Sequence, residues 1–407
     1  MIRSTVARID LDALTHNFHT IRAYLADSRP GLVSGSAPAT DSGPGPIVGS
    51  APPTISPGLG RRRPPGIIAV VKANAYGHGA PDVALALERA GAGMVACADI
   101  EEAIVLREAG VRGRILVFGA LSLSDLDGIF QHDLTPTLSS PMAARAVQAA
   151  ATKRGVRVAC HLKIDTGMNR LGFRHDNLEW TMPAIAASAN LDVEGVFTHF
   201  ATADGPPGDE LFAHQQSRLA AALARLARLG IAPRVVHAAN SAAILASAAT
   251  WFDVVRPGLL LYGVTPAGRI GSPALRPVMT LESRITAIKG VREGEPVGYG
   301  ARFQAARPTT VAIVPAGYAD GLDVRMAGRC DVLVRGQRAP IVGSVCMDMI
   351  LVDVTGMHAA PGDAVTMLGE QAGASIGVAE IAQRIGTIPY ELLCRVGTRI
   401  ERVYSHR

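Results

Sequence analysis

Short apolar runs alternate with longer amphipathic stretches over the central half of the chain. Runs of this kind are typical of buried parallel strands, whereas apolar positions spaced three and four apart predict helices. We predict eight strands, at residues 67–71, 94–98, 114–118, 134–138, 156–164, 193–199, 234–238 and 253–256. Helices are predicted between them, at residues 81–90, 100–109, 141–153 and 211–229. This alternation favours an α/β fold, a closed (β/α)8 barrel of the TIM type, with a doubly wound open sheet as the alternative.

The two ends of the chain carry different patterns. A strand is predicted over 5–11, followed by an amphipathic helix whose expected N-cap is Asp12. From about residue 276 onward, alternating strands separated by glycine and proline turns predict a mainly β domain with one helix over 378–384. We therefore divide the chain into an N-terminal strand and helix, an insertion, the barrel and a C-terminal β domain, at 1–27, 28–66, 67–263 and 264–407.

The insertion over 28–66 differs from the rest of the chain in composition. It contains 9 of the 26 prolines and shows almost no hydrophobic periodicity, which predicts a flexible segment. Its four arginines and one aspartate also supply +3 of the formal net charge of +5. Because the remaining charge is scattered and forms no basic stripe with aromatic residues, we expect no nucleic-acid partner.

Composition narrows the class of protein further. Hydrophobic residues make up 48% of the chain and aromatic residues only 4%, which suits a core of small aliphatic side chains in packed βα units. The five cysteines have no paired spacing, no secretory signal precedes the first strand, and no apolar run is long enough to span a membrane. These features favour a cytoplasmic protein.

The most informative segment is residues 67–79, with the sequence IIAVVKANAYGHG. Lys72 follows five apolar residues, which places it at the C-terminal mouth of a barrel strand, where barrel active sites are built. A lone lysine at a strand end is usually a surface residue. Here, however, Tyr76 and a Gly-His-Gly turn follow within one loop and offer a hydroxyl and close backbone approach to an anion. Lys72 is therefore the first candidate site residue.

This segment resembles the cofactor-lysine motif of the alanine racemase family, and further motifs of that family follow in order. In the barrel the similar segments are residues 162–172, 198–201, 240–241, 256–258 and 262–263. In the second domain they are residues 297–300, 317–321, 346–348 and 389–391. The match covers nearly the whole chain outside 28–66, and the set is far more specific than any one motif.

The resemblance implies that pyridoxal 5'-phosphate is held covalently by Lys72, and that Lys72 and Tyr299 are the two bases that exchange protons on opposite faces of an amino acid. A free tyrosine, with a pKa near 10, is a poor base, and the family pattern implies His199 as its partner. Arg256 is implied to face the pyridine nitrogen, which stays unprotonated because arginine keeps its proton. The other implied cofactor-binding residues are Tyr76, Asn240, Ser241, Gly258, Leu259 and Tyr390.

The family pattern also implies residues for the substrate and for a second subunit. Arg170 and the Met347 backbone of the partner subunit are implied to bind the substrate, and Lys163, often carboxylated in the family, to orient Arg170. Tyr318 and Asp348 are implied supporting residues, and Tyr318 with Tyr390 narrows the entrance for a small amino acid. A homodimer with shared active sites follows from this assignment.

Several alternatives stay open on the sequence alone. Tyr299 and Arg256 could each be an ordinary strand residue without the family match. A serine or broader-specificity racemase and a decarboxylase share this architecture, although the decarboxylase would pair the pyridine nitrogen with a carboxylate. Single-domain pyridoxal-phosphate-binding proteins, a non-enzymatic alternative, lack the second domain. The loose GxGxxA at 91–96 follows a helix instead of a strand, so we discount a dinucleotide site, and the 11 histidines form no metal-binding motif.

Overall fold

The computed structural model of the protein describes residues 4–27, 63–122, 126–266 and 272–405. Residues 28–62 of the predicted flexible insertion lie outside the described residues.

Eight parallel strands close into a barrel. The strands of this region, including a two-residue strand β7 at the edge of β6, are β2 (Gly66–Val70), β3 (Met94–Cys97), β4 (Arg114–Val117), β5 (Thr135–Leu138), β6 (Val158–Asp165), β7 (Phe173–Arg174), β8 (Leu191–Phe197), β9 (Val235–Asn240) and β10 (Val254–Arg256). They pair in the order β2-β3-β4-β5-β6-β8-β9-β10, and β10 pairs again with β2. The barrel prediction is therefore confirmed, and the open sheet is excluded. The first and last residues of every predicted strand lie within two residues of the observed ones.

Helices connect these strands on the outside of the barrel. The helices from the N-terminus to the end of the barrel are α1 (Leu11–Asp27), α2 (Ala80–Arg89), α3 (Ile100–Glu108), α4 (Asp127–Gln131), α5 (Pro141–Arg154), α6 (Leu178–Thr181), α7 (Pro183–Ala186), α8 (Glu210–Arg228) and α9 (Ser241–Ala246). Polar side chains cap the N-termini of helices α3, α5 and α8: Asp99, Ser140 and Asp209 each accept a backbone N–H of the first turn. All four predicted barrel helices are confirmed, whereas the short helices α4, α6, α7 and α9 were not predicted because they show too few turns of periodicity.

The N-terminal strand β1 (Val6–Asp10) belongs to the sheet of the C-terminal domain and not to the barrel. The predicted N-cap of the following helix is wrong by two residues. Asp10, the last residue of β1, accepts the Ala13 amide at 2.8 Å, because the helix already begins at Leu11. Asn17 on α1 then hydrogen-bonds the carbonyls of Leu261 and Arg276, and this contact joins the helix to the connection between the domains.

The C-terminal domain is mainly β, as predicted. Its strands are β11 (Met279–Arg284), β12 (Ala287–Val291), β13 (Pro296–Val297), β14 (Phe303–Gln304), β15 (Thr309–Val314), β16 (Asp331–Val334), β17 (Gln337–Val342), β18 (Ile350–Asp353), β19 (Ala364–Gln371), β20 (Ala374–Ile376) and β21 (Glu401–Ser405). The main sheet runs β12-β15-β18-β17-β16-β19-β11-β1-β21. Two helices, α10 (Val378–Ile385) and α11 (Pro389–Arg395), follow β20, and α11 packs beside the segment Lys72–Tyr76.

Within the described ranges, we find no helix that combines the length and the apolar character needed to cross a membrane.

Candidate active site

A cavity of about 300 Å³ opens at the C-terminal ends of the barrel strands. Residues from seven of the eight strands or the loops after them line it, with one residue from the C-terminal domain. Ten of the predicted site residues are among them: Lys72, Tyr76, Lys163, Arg170, His199, Asn240, Ser241, Arg256, Gly258 and Tyr390. The structure therefore brings these residues together, while their individual roles stay predictions.

The segment that carries Lys72 and Tyr76 is a left-handed turn. Ala73, Asn74, Ala75 and Tyr76 all have φ between 51° and 54°, a conformation that costs residues with a Cβ atom about 1–2 kcal/mol each. Contacts from outside the turn hold it in place. Glu102 accepts the Ala73 amide at 2.7 Å with one carboxylate oxygen and the Ala98 amide at 2.7 Å with the other.

The far side of the same turn is fixed by its own loop. His78 donates from Nδ1 to the carbonyl oxygens of Ala75 and Tyr76, at 2.9 Å each. The Asn74 side chain accepts the Ala80 amide at 2.8 Å and so begins helix α2. A strained turn that is satisfied in this way presents Lys72 and Tyr76 to the cavity in fixed positions.

Tyr76, Ser241 and Gly258 form one wall of the cavity. The Ser241 hydroxyl accepts the Gly258 amide at 2.9 Å, which joins the loop after β10 to the start of α9. A Cβ atom at Gly258 would lie 2.5 Å from the Tyr76 hydroxyl, so glycine is needed for this close approach. Burial raises the pKa of Tyr76, and its phenol therefore stays protonated and able to donate a hydrogen bond.

The cavity is rich in positive charge. Its described lining contains four cationic side chains, Lys72, Lys163, Arg170 and Arg256, and no carboxylate. Burial, followed by the charge of Arg170, lowers the pKa of Lys72. The same two causes, with Arg256, lower the pKa of Lys163 to about 8. Both amines are thus easier to deprotonate than an ordinary lysine, and the cavity as a whole favours anionic ligands.

Arg256 at the end of β10 is nearly completely buried, with 3% exposure. Its guanidinium donates to the carbonyl oxygens of Thr198 and Ala238 at 2.9 Å each, and to His199 Nδ1 at 3.3 Å. Burial lowers the pKa of Arg256 to about 9, which is still above neutral pH, so the side chain keeps its charge. Burial and the charge of Arg256 also lower the pKa of His199 well below its ordinary value, so His199 is neutral.

The remaining predicted site residues do not line this cavity. Tyr299 and Met347 lie on the C-terminal domain with 77% and 52% exposure, and Tyr318 beside them is 45% exposed. Asp348 forms an ion pair with Arg399 on that surface, at 2.6 Å. Leu259, the last of the five, is buried in the hydrophobic core.

Both halves of the chain match protein-family models. The model described as "Alanine racemase, N-terminal domain" matches residues 60–266, and the model described as "Alanine racemase, C-terminal domain" matches residues 278–404. The chain belongs to the alanine racemase family. The resemblance seen in the sequence is thereby confirmed.

Individual alanine racemases are similar over nearly their full length. The alanine racemase of Geobacter sulfurreducens is 38% identical, over 99% of this chain and 97% of that protein. The crystal structure of the alanine racemase from D-cycloserine-producing Streptomyces lavendulae has a TM-score of 0.86 and 33% identity, covering 100% of this chain and 98% of that one. The structure from Bartonella henselae, which holds covalently bound pyridoxal phosphate, has a TM-score of 0.81 and 27% identity over 99% of each chain.

In this alanine racemase fold, a buried chain of hydrogen bonds extends from Arg256 toward the opposite end of the barrel, and sequence reasoning missed it. Arg256 contacts His237 Nδ1 at 2.8 Å, His237 Nε2 contacts His161 Nδ1 at 2.8 Å, and His161 Nε2 contacts the Glu194 carboxylate at 3.2 Å. Glu194 is also ion-paired with Arg114. The sequence contains only a weak indication of this network. His161 lies two residues before Lys163 on one strand, so both side chains point into the barrel.

The donor and the acceptor of each hydrogen bond in this series follow from the charges of the first and last residues, Arg256 and Glu194. Burial raises the pKa of Glu194, but hydrogen bonds from His161 and Arg114 outweigh it and lower the pKa to about 2. The ionised carboxylate can only accept, so His161 donates from Nε2 and accepts at Nδ1 from His237, which in turn accepts from Arg256. Both imidazoles are neutral, because burial lowers the pKa of each. Every donor therefore points from the cationic end to the anionic end.

Proposed function

We propose that this protein is a pyridoxal-phosphate-dependent racemase that interconverts L-alanine and D-alanine. The observation that carries the proposal is the cavity at the barrel mouth, where Lys72 lies among three further cations and, in the described lining, no acidic side chain. Such a cavity suits two anionic groups at once, a cofactor phosphate and a substrate carboxylate. Membership of the family supports the choice of alanine as the substrate.

The lining residues fit pyridoxal phosphate. Lys72 offers a primary amine of lowered pKa for covalent attachment, and the protonated phenol of Tyr76 lies beside Ser241 and Gly258, where it would donate to the phosphate. Arg256 would face the pyridine nitrogen and, since it keeps its proton, would leave that nitrogen unprotonated. When bound, the cofactor stabilises the negative charge that remains on the substrate α-carbon after its proton is removed.

The protein supplies two bases in this proposal. Inversion without turning the substrate over needs a base on each face, and we assign these roles to Lys72 and to Tyr299 of the partner subunit. Tyr299, Tyr318 and Met347 are large residues with 45–77% exposure on the C-terminal domain, which supports a surface that a second copy covers. In the assembled site, neutral His199, whose Nδ1 accepts from Arg256, would donate from Nε2 to the Tyr299 phenol oxygen and so favour its phenolate form.

Lys163 and Arg170 bind and orient the substrate in this proposal. A lysine pKa of about 8 leaves a fraction of the amine neutral near physiological pH, and the neutral amine is the form that reacts with carbon dioxide. A carbamate on Lys163 would bring a negative charge beside Arg170 and hold its guanidinium toward the substrate carboxylate. Tyr390 at the cavity and Tyr318 of the partner subunit would restrict the side chain to about the size of a methyl group.

We also propose a cytoplasmic role, either in supplying D-alanine for the bacterial cell wall or in degrading it. All five cysteines are free, which agrees with a reducing compartment.

Incubation with single enantiomers tests the activity. Pure protein should abolish the optical rotation of L-alanine and of D-alanine alike, and should act more slowly on serine and much more slowly on lysine or arginine. Equal turnover of lysine would contradict the proposed substrate. Borohydride reduction should fix the cofactor to Lys72, and recovery of the label at another lysine would contradict the assignment of that residue.

A further inference from the structure

A second cavity, also of about 300 Å³, lies between the barrel and the C-terminal domain. It shares no described lining residue with the active-site cavity. Its inner wall is buried and includes His78, Tyr262 and Met279, whereas Ser375 and Ala379 at its rim are exposed. The cavity is therefore open to ligands from the side of β20 and α10, and its volume is at the lower end of the range for small-molecule sites.

One polar atom of the lining residue His78 has no partner among the described residues. The His78 Nδ1 contacts two carbonyl oxygens, which can only accept, so Nδ1 carries the proton. Burial is the main reason that the pKa of His78 falls to about 4, and the ring is neutral at pH 7. Its Nε2 is thus a fully buried acceptor, and no described residue donates to it. A buried acceptor of this kind is stabilised by a ligand that brings a donor.

The other lining groups define the rest of the ligand. Val264, Pro277 and Leu393 supply apolar surface, and the Tyr262 hydroxyl is already engaged, because it donates to the Val70 carbonyl at 2.9 Å. The exposed Glu370 carboxylate at the rim disfavours an anion, and no described lining residue is cationic. A buried ammonium would lose its hydration without a buried counter-charge.

We propose that this cavity binds a small, uncharged and mostly apolar molecule bearing one N–H or O–H donor, with the donor directed at His78 Nε2. The site goes beyond the racemase activity proposed above, and its test measures binding and not turnover.

Occupancy of this site is expected to act on the active-site turn. The His78 ring stacks on Tyr262 with 4.4 Å between centroids, and Tyr262 contacts the edge of Tyr76 at 5.1 Å. His78 also holds the carbonyls of the left-handed turn that presents Lys72. A ligand on His78 therefore changes the surroundings of the residues that would bind the cofactor, and by linkage the cofactor changes the affinity for the ligand.

Indole is a suitable probe, because it is largely apolar and has one N–H donor, and N-methylindole is the matched compound without the donor. We expect calorimetry on the holoenzyme to show indole binding at submillimolar concentration and N-methylindole binding at least tenfold more weakly. Indole should also shift the Nε2 resonance of His78 in protein labelled with nitrogen-15 histidine. Equal binding of the two compounds, or no binding of indole, would overturn the proposal.

Two substitutions on helix α10 locate the binding. Ala379→Phe narrows the cavity at an exposed lining position, and Gln383→Phe places the same ring on the same helix outside the lining. Indole affinity should fall at least tenfold in A379F and stay within twofold of wild type in Q383F. Retained indole affinity in folded A379F would place the binding elsewhere and refute the site.

Discussion

Ala73, Asn74 and Ala75 hold φ values of 53°, 53° and 54° in succession, a strained arrangement for residues that are not glycine. At the residue scale, this strain persists because polar groups of the turn are bound from outside. Glu102 contributes most directly, since its two carboxylate oxygens accept two amides on different strand ends. Orientation of Lys72 therefore depends on a glutamate that does not itself line the active-site cavity.

Glu102→Gln tests this dependence. The glutamine amide would point a donor at one of the two backbone N–H groups, and we expect a loss of about 0.5–1.5 kcal/mol, the usual range for a hydrogen bond, because these groups are exposed or only partly buried. The melting temperature should fall and pyridoxal phosphate should dissociate faster. The neighbouring exposed Glu101→Gln is the control and should behave like wild type. Unchanged cofactor retention in Glu102→Gln would mean that the turn is held by other contacts.

Tyr299→Phe tests the second proposed base. The substitution keeps the ring and removes the ionisable hydroxyl, so turnover should drop by at least about a hundredfold, the low end of acid–base contributions. The absorbance of the bound cofactor should persist, because its attachment depends on Lys72. Tyr24→Phe, on helix α1 beside Trp251, is the control and should leave the rate unchanged. A Tyr299→Phe enzyme of normal rate would remove this residue from the mechanism.

Lys163 should react with carbon dioxide in a pH-dependent way. With the pKa lowered to about 8, the neutral fraction of the amine increases as the pH rises through that value. At constant dissolved carbon dioxide, carbon-13 NMR of labelled protein should therefore show a carbamate signal that grows between about pH 7 and pH 9. Lys163→Arg should abolish the signal, whereas exposed Lys153→Arg should retain it. A signal that survives in Lys163→Arg would place the carbamate on another amine.

At the scale of elements, barrel closure builds the chain of hydrogen bonds behind Arg256 from three neighbouring strands. His161 comes from β6, Glu194 from β8 and His237 from β9. Close approach of β8 requires Gly195, because a Cβ atom there would lie 2.5 Å from the His161 ring. The same packing that closes the barrel thus connects the buried cation Arg256, through two neutral imidazoles, to a carboxylate at the other end.

Glu194→Gln tests how much the ionised Glu194 carboxylate contributes to the free energy of unfolding at different pH values. The folded-state pKa of about 2 lies below the ordinary 4.5, so the ionised carboxylate stabilises the fold fully above about pH 4.5, and this stabilisation is lost as the pH falls toward 2. Denaturant unfolding should show the variant less stable at pH 7, with the difference from wild type shrinking below pH 4.5. The exposed Glu179→Gln is the control. A constant difference across this range would contradict the linkage.

At the scale of the whole molecule, the two proposed bases lie on different domains, and only Lys72 lines the cavity of its own chain. A shared site predicts complementation between inactive variants. Mixing Lys72→Ala with Tyr299→Phe, under conditions where subunits exchange, should restore part of the activity, because each mixed dimer would contain one intact site. Absence of any recovery, with exchange demonstrated by mass spectrometry, would mean that both bases come from one chain.

Periodicity in the sequence determined the elements of the barrel. The strands and long helices could be predicted because an apolar run or an amphipathic face is a pattern of nearby residues in the sequence. In the same way, the five apolar residues before Lys72 place it at the end of a strand. The family motifs likewise led to ten residues that meet in one cavity. The N-cap of the first helix was misplaced because Asp10 and Asp12 both suit that position, and only the end of β1 distinguishes them.

Only the tertiary structure decided which distant residues meet. Alternation shows that His161 faces the barrel interior, but not that its ring reaches His237, which lies 76 residues further along and arrives through barrel closure. Pairing of β1 with β11 and β21 similarly joins the first strand to the last domain. The left-handed turn after Lys72 is a third case, because no local preference favours positive φ in alanine. The contact that Glu102 makes from another element, together with the hydrogen bonds of His78 within the loop, selects that conformation.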